Sequence, residues 1–400
     1  PSQRKVIYAC LKKNLTNDMK VAQLSGYVAE QTAYHHGEAS LQGTIINLAQ
    51  NFVGANNLNL LEPSGQFGTR LAGGKDAASP RYIFTRLSPL TKRIFDPSDN
   101  FVLKYVVDDG QKVEPEHYSP VVPMILVNGA EGIGTGFSCY VPPYDIEVLK
   151  HNILCALDQV AMAPMVPHFK GFKGKITKTK DHTWVMEGVV AKEGSQLHVT
   201  ELPPGKWIQD FKEHLDELLD KGTIQKYENH STETTPDFRI WGADGLENPV
   251  RDLGLTKTIH TSNMYLIGPN GAVKKYASPE EILVDYIEVR LGMYKKRKAH
   301  LLKELAAEIN WLDEKARFIR GVISGSFRVM NVPLAEIEEQ MRRNGFAEAI
   351  RPKLMDIKTY QYTREEVAKL EALCTSKRQE HTKLFSTSVV QLWKNNLSEI

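Results

Sequence analysis

The sequence predicts an α+β chain of several domains, with short helices and a strand ribbon first, a mixed α/β region in the middle and a long antiparallel pair of helices at the end. Three observations carry that expectation. At 400 residues the chain exceeds the length at which a single hydrophobic core stops growing, so two or three separate cores are expected. Helical apolar spacing before Pro63 gives way to glycine-rich and β-prone segments after it. From Ile287 to Ile323, apolar positions recur at steps of four and three.

Taken in order, Val21, Leu24 and Val28 share one helical face and Leu41, Ile45, Leu48 and Phe52 share another, which predicts two helices joined by a turn. After Pro63 come Gly65, Gly68, Gly73 and Gly74, read as a flexible loop, and then the β-prone Tyr82-Ile83-Phe84-Thr85. Helix, turn, helix and ribbon is the order of a winged helix. From about Pro120 to Tyr276 short strands and turns alternate, with residues 121–127 read as a buried strand and Pro269-Asn270-Gly271 as a hairpin signal.

Ser278-Pro279-Glu280-Glu281 supplies a capping serine, a proline at the first helical position and a glutamate at the third, so a long helix starts there. Its seam runs Ile287, Leu291, Tyr294, Lys298, Leu301, Leu305, Ile309, Leu312, Ala316, Ile319 and Ile323, with one repeated step of four and with Lys298 as the poor fit. A return helix opens at Thr363 with Glu366 three residues on, and carries Val367, Leu370, Cys374, Lys377, His381 and Leu384 at the same rhythm. An antiparallel coiled coil is the economical expectation; two amphipathic helices of a globular bundle have the same periodicity.

The longest apolar runs, such as residues 121–127, are too short for a membrane span, and no signal-peptide pattern opens the sequence. Cys10, Cys139, Cys155 and Cys374 form no CxxC pair, which argues against a zinc site or a disulfide framework and for a reducing compartment. The net charge of +2 hides an asymmetry. Residues 1–93 hold eleven Lys/Arg against five Asp/Glu, a balance of +6, which leaves −4 for the other 307. A polyanion suits the basic end.

Ser79-Pro80-Arg81-Tyr82 sets a guanidinium beside a phenol. A phenol, with an ordinary pKa of about 10, is a poor nucleophile while protonated. An adjacent Arg eases formation of the phenolate and stabilises the extra negative charge of a pentavalent phosphorus transition state. Most tyrosines merely pack or hydrogen-bond, so the pair alone does not decide. Tyr34-His35-His36-Gly37-Glu38 places two imidazoles between helices, beside open backbone amides, where a phosphate can bind; a histidine pair capping a helix end is the plainer alternative. No GxxxxGK[ST] loop and no acidic cluster suited to Mg²⁺ is found.

Several strings then occur together and in one order: Gln3-Arg4-Lys5-Val6, Lys20-Val21-Ala22-Gln23-Leu24, Tyr34-His35-His36-Gly37-Glu38, Gly65-Gln66-Phe67-Gly68-Thr69-Arg70, Ala78-Ser79-Pro80-Arg81-Tyr82 and Asn128-Gly129-Ala130-Glu131-Gly132-Ile133-Gly134. They resemble the eukaryotic type IIA DNA topoisomerases, densely over residues 1–140 and more thinly beyond. The resemblance implies a winged-helix domain over 1–119, a mixed α/β tower over 120–277, and a coiled coil with a C-terminal dimerisation gate over 278–400. It implies that Tyr82 attacks DNA to form a 5′-phosphotyrosine, that Arg81 is its transition-state partner, and that His36, with His35 beside it, lies near the scissile phosphate. Arg4 and Lys5 would hold the DNA backbone, with Lys20, Arg70 and Lys75 as further basic contacts. Ile133 would insert between base pairs, although the residues alone read equally as a core isoleucine in a glycine-rich turn. Lys206 and Trp207 would touch the DNA arms.

The same resemblance implies double-stranded DNA as partner, a homodimer, no membrane, and Mg²⁺ and ATP bound by regions outside this sequence. It implies the nucleus for a cellular source and the host cytoplasm or nucleus for a viral one. Two other classes compete. A non-catalytic winged-helix DNA-binding protein with a dimerising arm gives no reason for Arg81-Tyr82, and a tyrosine recombinase or type IB enzyme would leave a 3′-phosphotyrosine amid strings that do not fit.

Overall fold

The computed structural model describes residues 1–243 and 245–400, which divide into two compact units, Pro1–Gly292 with Trp393–Ile400, and Met293–Leu392.

The first unit opens with α1 (Ser2–Lys13), β1 (Met19–Lys20), α2 (Val21–Thr32), α3 (Glu38–Ala49), β2 (Leu61–Ser64) and β3 (Phe84–Leu87). The three strands form an antiparallel sheet in the order β1-β3-β2. Val6, Ile7, Leu24, Val28, Leu41, Ile45 and Leu61 form the buried core beneath them. The expected stripe lies on α3 as far as Leu48, while Phe52 falls beyond the helix end. The β-prone run becomes a strand only at Phe84, because Tyr82 N–H is turned back onto Ser79 O at 2.9 Å.

Next come α4 (Thr91–Ile94), the hairpin β4 (Tyr105–Asp108) with β5 (Gln111–Pro115), and α5 (Met124–Val127). The strand expected over residues 121–127 is thus corrected. Val121 and Val122 are buried in a bend, Pro123, with φ −71°, stands at the cap of a helical turn, and Asn128 N–H reaches Met124 O at 3.0 Å. An apolar run this short is buried in either conformation, so its composition cannot choose between them.

The hairpin β6 (Ala130–Gly134) with β7 (Phe137–Val141) is followed by α6 (Ile146–Leu157), which Asp145 caps. Then come β8 (Lys175–Lys180), β9 (Thr183–Glu187), β10 (Val189–Glu193), β11 (Gln196–Glu201), α7 (Ile208–Asp220), β12 (Lys226–Asn229), β13 (Phe238–Trp241), α8 (Pro249–Asp252), β14 (Thr256–His260), β15 (Met264–Ile267) and β16 (Val273–Tyr276). They build a four-stranded sheet, β10-β11-β13-β12, and a three-stranded one, β14-β9-β8. The apolar face of α7, through Ile208, Phe211, Leu215 and Leu218, belongs to the core under the larger sheet. Pro269-Asn270-Gly271 makes the turn of the β15–β16 hairpin, as its composition predicts.

α9 (Pro279–Ile323) starts where expected: Glu281 N–H donates to Ser278 Oγ at 3.3 Å and Ala277 N–H to Glu281 Oε2 at 2.9 Å. The second unit holds most of α9 together with α10 (Leu334–Arg343), α11 (Arg351–Met355), α12 (Arg364–Ser386) and the start of α13 (Val389–Leu397). α9 and α12 run antiparallel, for Glu308 pairs with Lys377 at 3.1 Å, Asp313 meets Cys374 at 3.1 Å and Lys315 pairs with Glu366 at 3.5 Å. Phe318, Phe327, Phe346, Met341 and Leu354 close the far end with a core of its own. The indole N–H of Trp393 donates to Val121 O at 3.0 Å within the first unit.

Candidate nucleophile and nucleic-acid surface

Lys20 stands at the N-cap of α2 and gives it no side-chain acceptor. The segment around Tyr82 closes the open amides instead. Val21 N–H donates to Ile83 O at 3.0 Å and Ala22 N–H to Pro80 O at 3.1 Å, while Lys20 and Met19 pair with Phe84 and Thr85 across the β1–β3 ladder. Arg81 and Tyr82 are therefore the two residues held between two anchored carbonyls. Arg81 is exposed, and the phenol beside it is 73% exposed. The positive end of α2 adjoins this turn, and its dipole favours negative charge there.

His35 and His36 are exposed between α2 and α3, with ring centroids 4.4 Å apart. His35 Nδ1 lies 3.2 Å from Ala33 O, and the His36 ring stands edge-on to Tyr34 at 5.5 Å. Gly37, at φ +94°, caps α3 without a side chain. Ser25 Oγ donates to Ala22 O at 2.8 Å and lies 3.4 Å from Glu38 Oε1, which also accepts from Gln42 Nε2 at 2.7 Å. The start of α3 thus docks one turn from Ala22, the residue that holds Pro80. Within the histidine segment Glu38 makes that link; His35 itself lies against Ala33, the C-terminal cap of α2.

The glycine-rich stretch read as flexible is tightly packed. A Cβ on Gly68 (φ +93°) would sit 2.5 Å from Gly74 Cα, and one on Gly73 (φ +63°) 2.2 Å from Trp207 Cε2, so only glycine lets the loop fold under itself and take the indole. Arg70 is corrected accordingly. Its guanidinium is buried, paired with Glu201, and donates to Leu202 O at 2.8 Å, so it cannot reach a phosphate while the loop is folded. Lys75 remains exposed.

Three other expected contacts double as clamps. Lys5 Nζ donates to Thr32 O at 2.7 Å and to Glu114 Oε2 at 2.9 Å, tying α1 to the last turn of α2. Lys206 Nζ donates to Gly254 O at 2.7 Å, and burial pushes its pKa below the ordinary lysine value. Trp207 packs edge-on against Phe52 at 5.8 Å. Arg4 is half-buried, its Nε shielded from solvent without a hydrogen-bond partner, whereas Lys20 is exposed, 5.9 Å from the Phe84 ring.

Ile133 is 95% exposed, near the tip of the β6–β7 hairpin. An isoleucine so fully in water gains nothing from burial within its own chain. The base of that hairpin shares a groove of about 1080 Å³ with Gly54, Trp207, Lys257 and His260. The charge balance taken at Arg93 also conceals a second basic run: Lys170, Lys173, Lys175, Lys178 and Lys180 are all exposed along and before the edge strand β8. Their spacing of two and three residues is visible in the sequence, but acidic residues elsewhere cancel it in the sum.

Among the described residues no group of three or more His, Cys, Asp or Glu side chains could hold a metal ion, and no helix is long and apolar enough to cross a membrane.

The family model for the A-type subunit of DNA gyrase/topoisomerase IV matches residues 1–398. DNA topoisomerase 2-alpha of Gallus gallus is 45% identical over 359 residues, covering 86% of this chain and 23% of that protein. The mitochondrial DNA topoisomerase 2 of Dictyostelium discoideum is 38% identical over 418 residues, covering 100% of this chain and 32% of that protein. The chain thus spans about a quarter to a third of the length of these curated relatives. A crystal structure of the Plasmodium falciparum topoisomerase II DNA-binding, cleavage and re-ligation domain is similar at a TM-score of 0.93 and 38% identity, over 100% of this chain and 59% of that one. A family model that matches nearly the whole sequence and an α+β architecture that agrees over its whole length point the same way: the chain belongs to the A-type subunit family of DNA gyrase/topoisomerase IV, and it is similar to eukaryotic type II topoisomerases.

Proposed function

We propose that the chain is the breakage-and-reunion core of a type II DNA topoisomerase, with Tyr82 as the nucleophile. The observation that carries this is the exposed Arg81-Tyr82 pair held by backbone bonds at the positive end of α2. The phenolate oxygen of Tyr82 attacks a backbone phosphorus, the 3′-oxygen leaves and takes up a proton, and a 5′-phosphotyrosine bond conserves the phosphodiester energy. Attack by that 3′-hydroxyl on the phosphotyrosine reverses the step and frees Tyr82. Arg81 stabilises the charge that builds on the phosphorus oxygens. His36, with His35, binds a non-bridging oxygen or assists the proton transfer.

The finer architecture belongs to the same reading: a winged helix over 1–119, a tower over 120–277, and a coiled coil with dimerisation gate over 278–400. Exposed Lys20 and Lys75, with Arg4, hold the duplex backbone, and the lysines of residues 170–180 extend that surface. Ile133 is the wedge that opens a base step and bends the duplex; its 95% exposure supports this over a core role. Two protomers each cut one strand. The exposed Met330, Leu334 and Tyr360 on the second unit support a dimer contact there.

Mg²⁺ and ATP are assigned to regions outside residues 1–400, as the resemblance to the type II topoisomerases implies. The chain alone should therefore bind DNA without efficient cleavage. The compartment assigned is the nucleus for a cellular source, or the host cytoplasm or nucleus for a viral one.

The test joins the metal-binding region to this chain, incubates it with plasmid and Mg²⁺, traps with denaturant and maps the linked end by mass spectrometry. A 5′-phosphoryl adduct on Tyr82 that disappears in Tyr82→Phe is expected. Tight duplex binding with no adduct would reduce the chain to a binding and dimerisation module.

A further inference from the structure

Ile133 stands on a two-stranded hairpin, and such a hairpin alone is marginally stable in water. Its own strand gives little help. Gly132 and Gly134 flank Ile133, and a Cβ added at Gly132 would meet nothing within 4 Å. The support comes across the ladder and from behind. Ser138 on β7 is the register partner of Ile133, and directly opposed residues share a face of the ribbon. Asn263, just before β15, holds this partner: its Nδ2 donates to Ser138 Oγ at 2.7 Å, and its carbonyl accepts from Tyr140 N–H at 2.9 Å. The Phe137 and Tyr265 rings lie 6.2 Å apart alongside. One asparagine thus grips β7 at the residue opposite the exposed isoleucine and again two residues further on.

We infer that Asn263 is a positioning residue for the Ile133 wedge: through Ser138 it fixes the angle of the β6–β7 hairpin, so that Ile133 meets the duplex as a rigid tooth rather than on a yielding ribbon. The inference rests on the reading of Ile133 as a DNA-inserting residue. A base step resists opening, and a hairpin free to lean would move aside instead of prising the stack apart. The β15–β16 hairpin is then the buttress, with the Asn263 amide as its point of contact.

The test uses the full chain and a duplex carrying a donor and an acceptor dye at its ends, with energy transfer read at saturating protein. Asn263→Ala is expected to lower the bent-to-straight ratio about fivefold, the change that one net hydrogen bond supports. Unfolding temperature and affinity for a duplex already bent by a gap should stay the same, which a merely structural role would not allow. Ser138→Ala should match it, the double variant should be no worse than either single one, and Ser138→Thr, which keeps the hydroxyl, should restore the bend. Should Asn263→Ala fold poorly, Ser138→Ala decides, because it removes the same side-chain hydrogen bond from its other end. Bending retained in Ser138→Ala and Asn263→Ala but lost in Ile133→Ala overturns the buttress and leaves the wedge standing. Bending retained in Ile133→Ala, or absent in the parent chain, overturns the wedge and the buttress with it.

Discussion

Arg70 and Arg81 lie eleven residues apart on one stretch, and the fold treats them in opposite ways. The glycine-rich loop folds under itself and carries Arg70 inward to Glu201, whereas the turn after it is pinned only through backbone carbonyls and leaves Arg81 and Tyr82 in water. One cation has become part of the protein and the other remains in water. Residue type is the same in both; what differs is whether glycine geometry allows a neighbour to cover it.

The comparison predicts different kinds of damage. Arg70→Ala should cost about 3–5 kcal/mol of stability, because it strips the cation from a buried carboxylate. Glu201 retains the amides of Leu202 at 2.9 Å and Lys173 at 3.0 Å, which favours the lower end of that range. Denaturant unfolding measures it, and a loss no larger than that of a surface substitution would erase the distinction. Arg81→Ala should leave unfolding unchanged and slow cleavage by about 10²–10³-fold, the usual effect of removing one preorganised donor to a developing anion. Single-turnover cleavage in the presence of the metal-binding region reads it, and a matching loss of stability would mean that Arg81, too, is structural.

How far the sequence could be read follows the same line. The elements with a period of their own, α2, α3, α9 and α12, and the caps Ser278 and Thr363 stand as their spacing and chemistry predict. Residues 121–127 do not, since an apolar run of that length carries no period to separate a strand from a helical turn. For the site, string resemblance singled out Tyr82 and Arg81, and their exposure is compatible with the role proposed. Arg70 could not be judged from sequence, because its partner Glu201 is 131 residues away. The edge-strand lysines of residues 170–180 were legible but lost in a regional charge sum, and Asn263 carries no local signal, since its partner Ser138 is 125 residues distant.

Lys298 extends the comparison to the second unit, where a cation that misfits its heptad slot has a use the period does not reveal. Its ammonium donates to Phe385 O at 2.9 Å and Thr387 O at 2.7 Å, at the C-terminal end of α12, where open carbonyls and the negative end of the dipole lie. Lys298→Ala should cost about 1 kcal/mol. Lys298→Leu, which the heptad pattern alone would favour, should not recover it. Amide exchange in the last turn of α12 is the measurement, and slower exchange in Lys298→Leu would show that seam packing outweighs the cap.

The smallest effect expected sits on the strand that carries Glu201. On β11, His198 Nδ1 lies 3.0 Å from Glu193 Oε1 and Nε2 lies 3.1 Å from Asp237 Oδ1. The hydrogen bond to Glu193, with Asp237 adding to it, raises the imidazole pKa above its ordinary 6.5 against the opposing cost of burial, and the same bond lowers that of Glu193. A folded-state pKa raised above the unfolded one means that the imidazolium contributes its stability fully below about pH 6.5 and loses it as pH rises through the raised value. Glu193 behaves conversely, contributing above its ordinary carboxylate pKa and losing that contribution as pH falls through its lowered one. The clamp between β10, β11 and the start of β13 should therefore be tightest in mildly acidic solution and loosen toward alkaline pH. His198→Gln should abolish that dependence. Imidazole titration by NMR with amide exchange on β10 and β11 reads it, and exchange independent of pH in the parent chain would show that the charge on His198 does not hold these strands together.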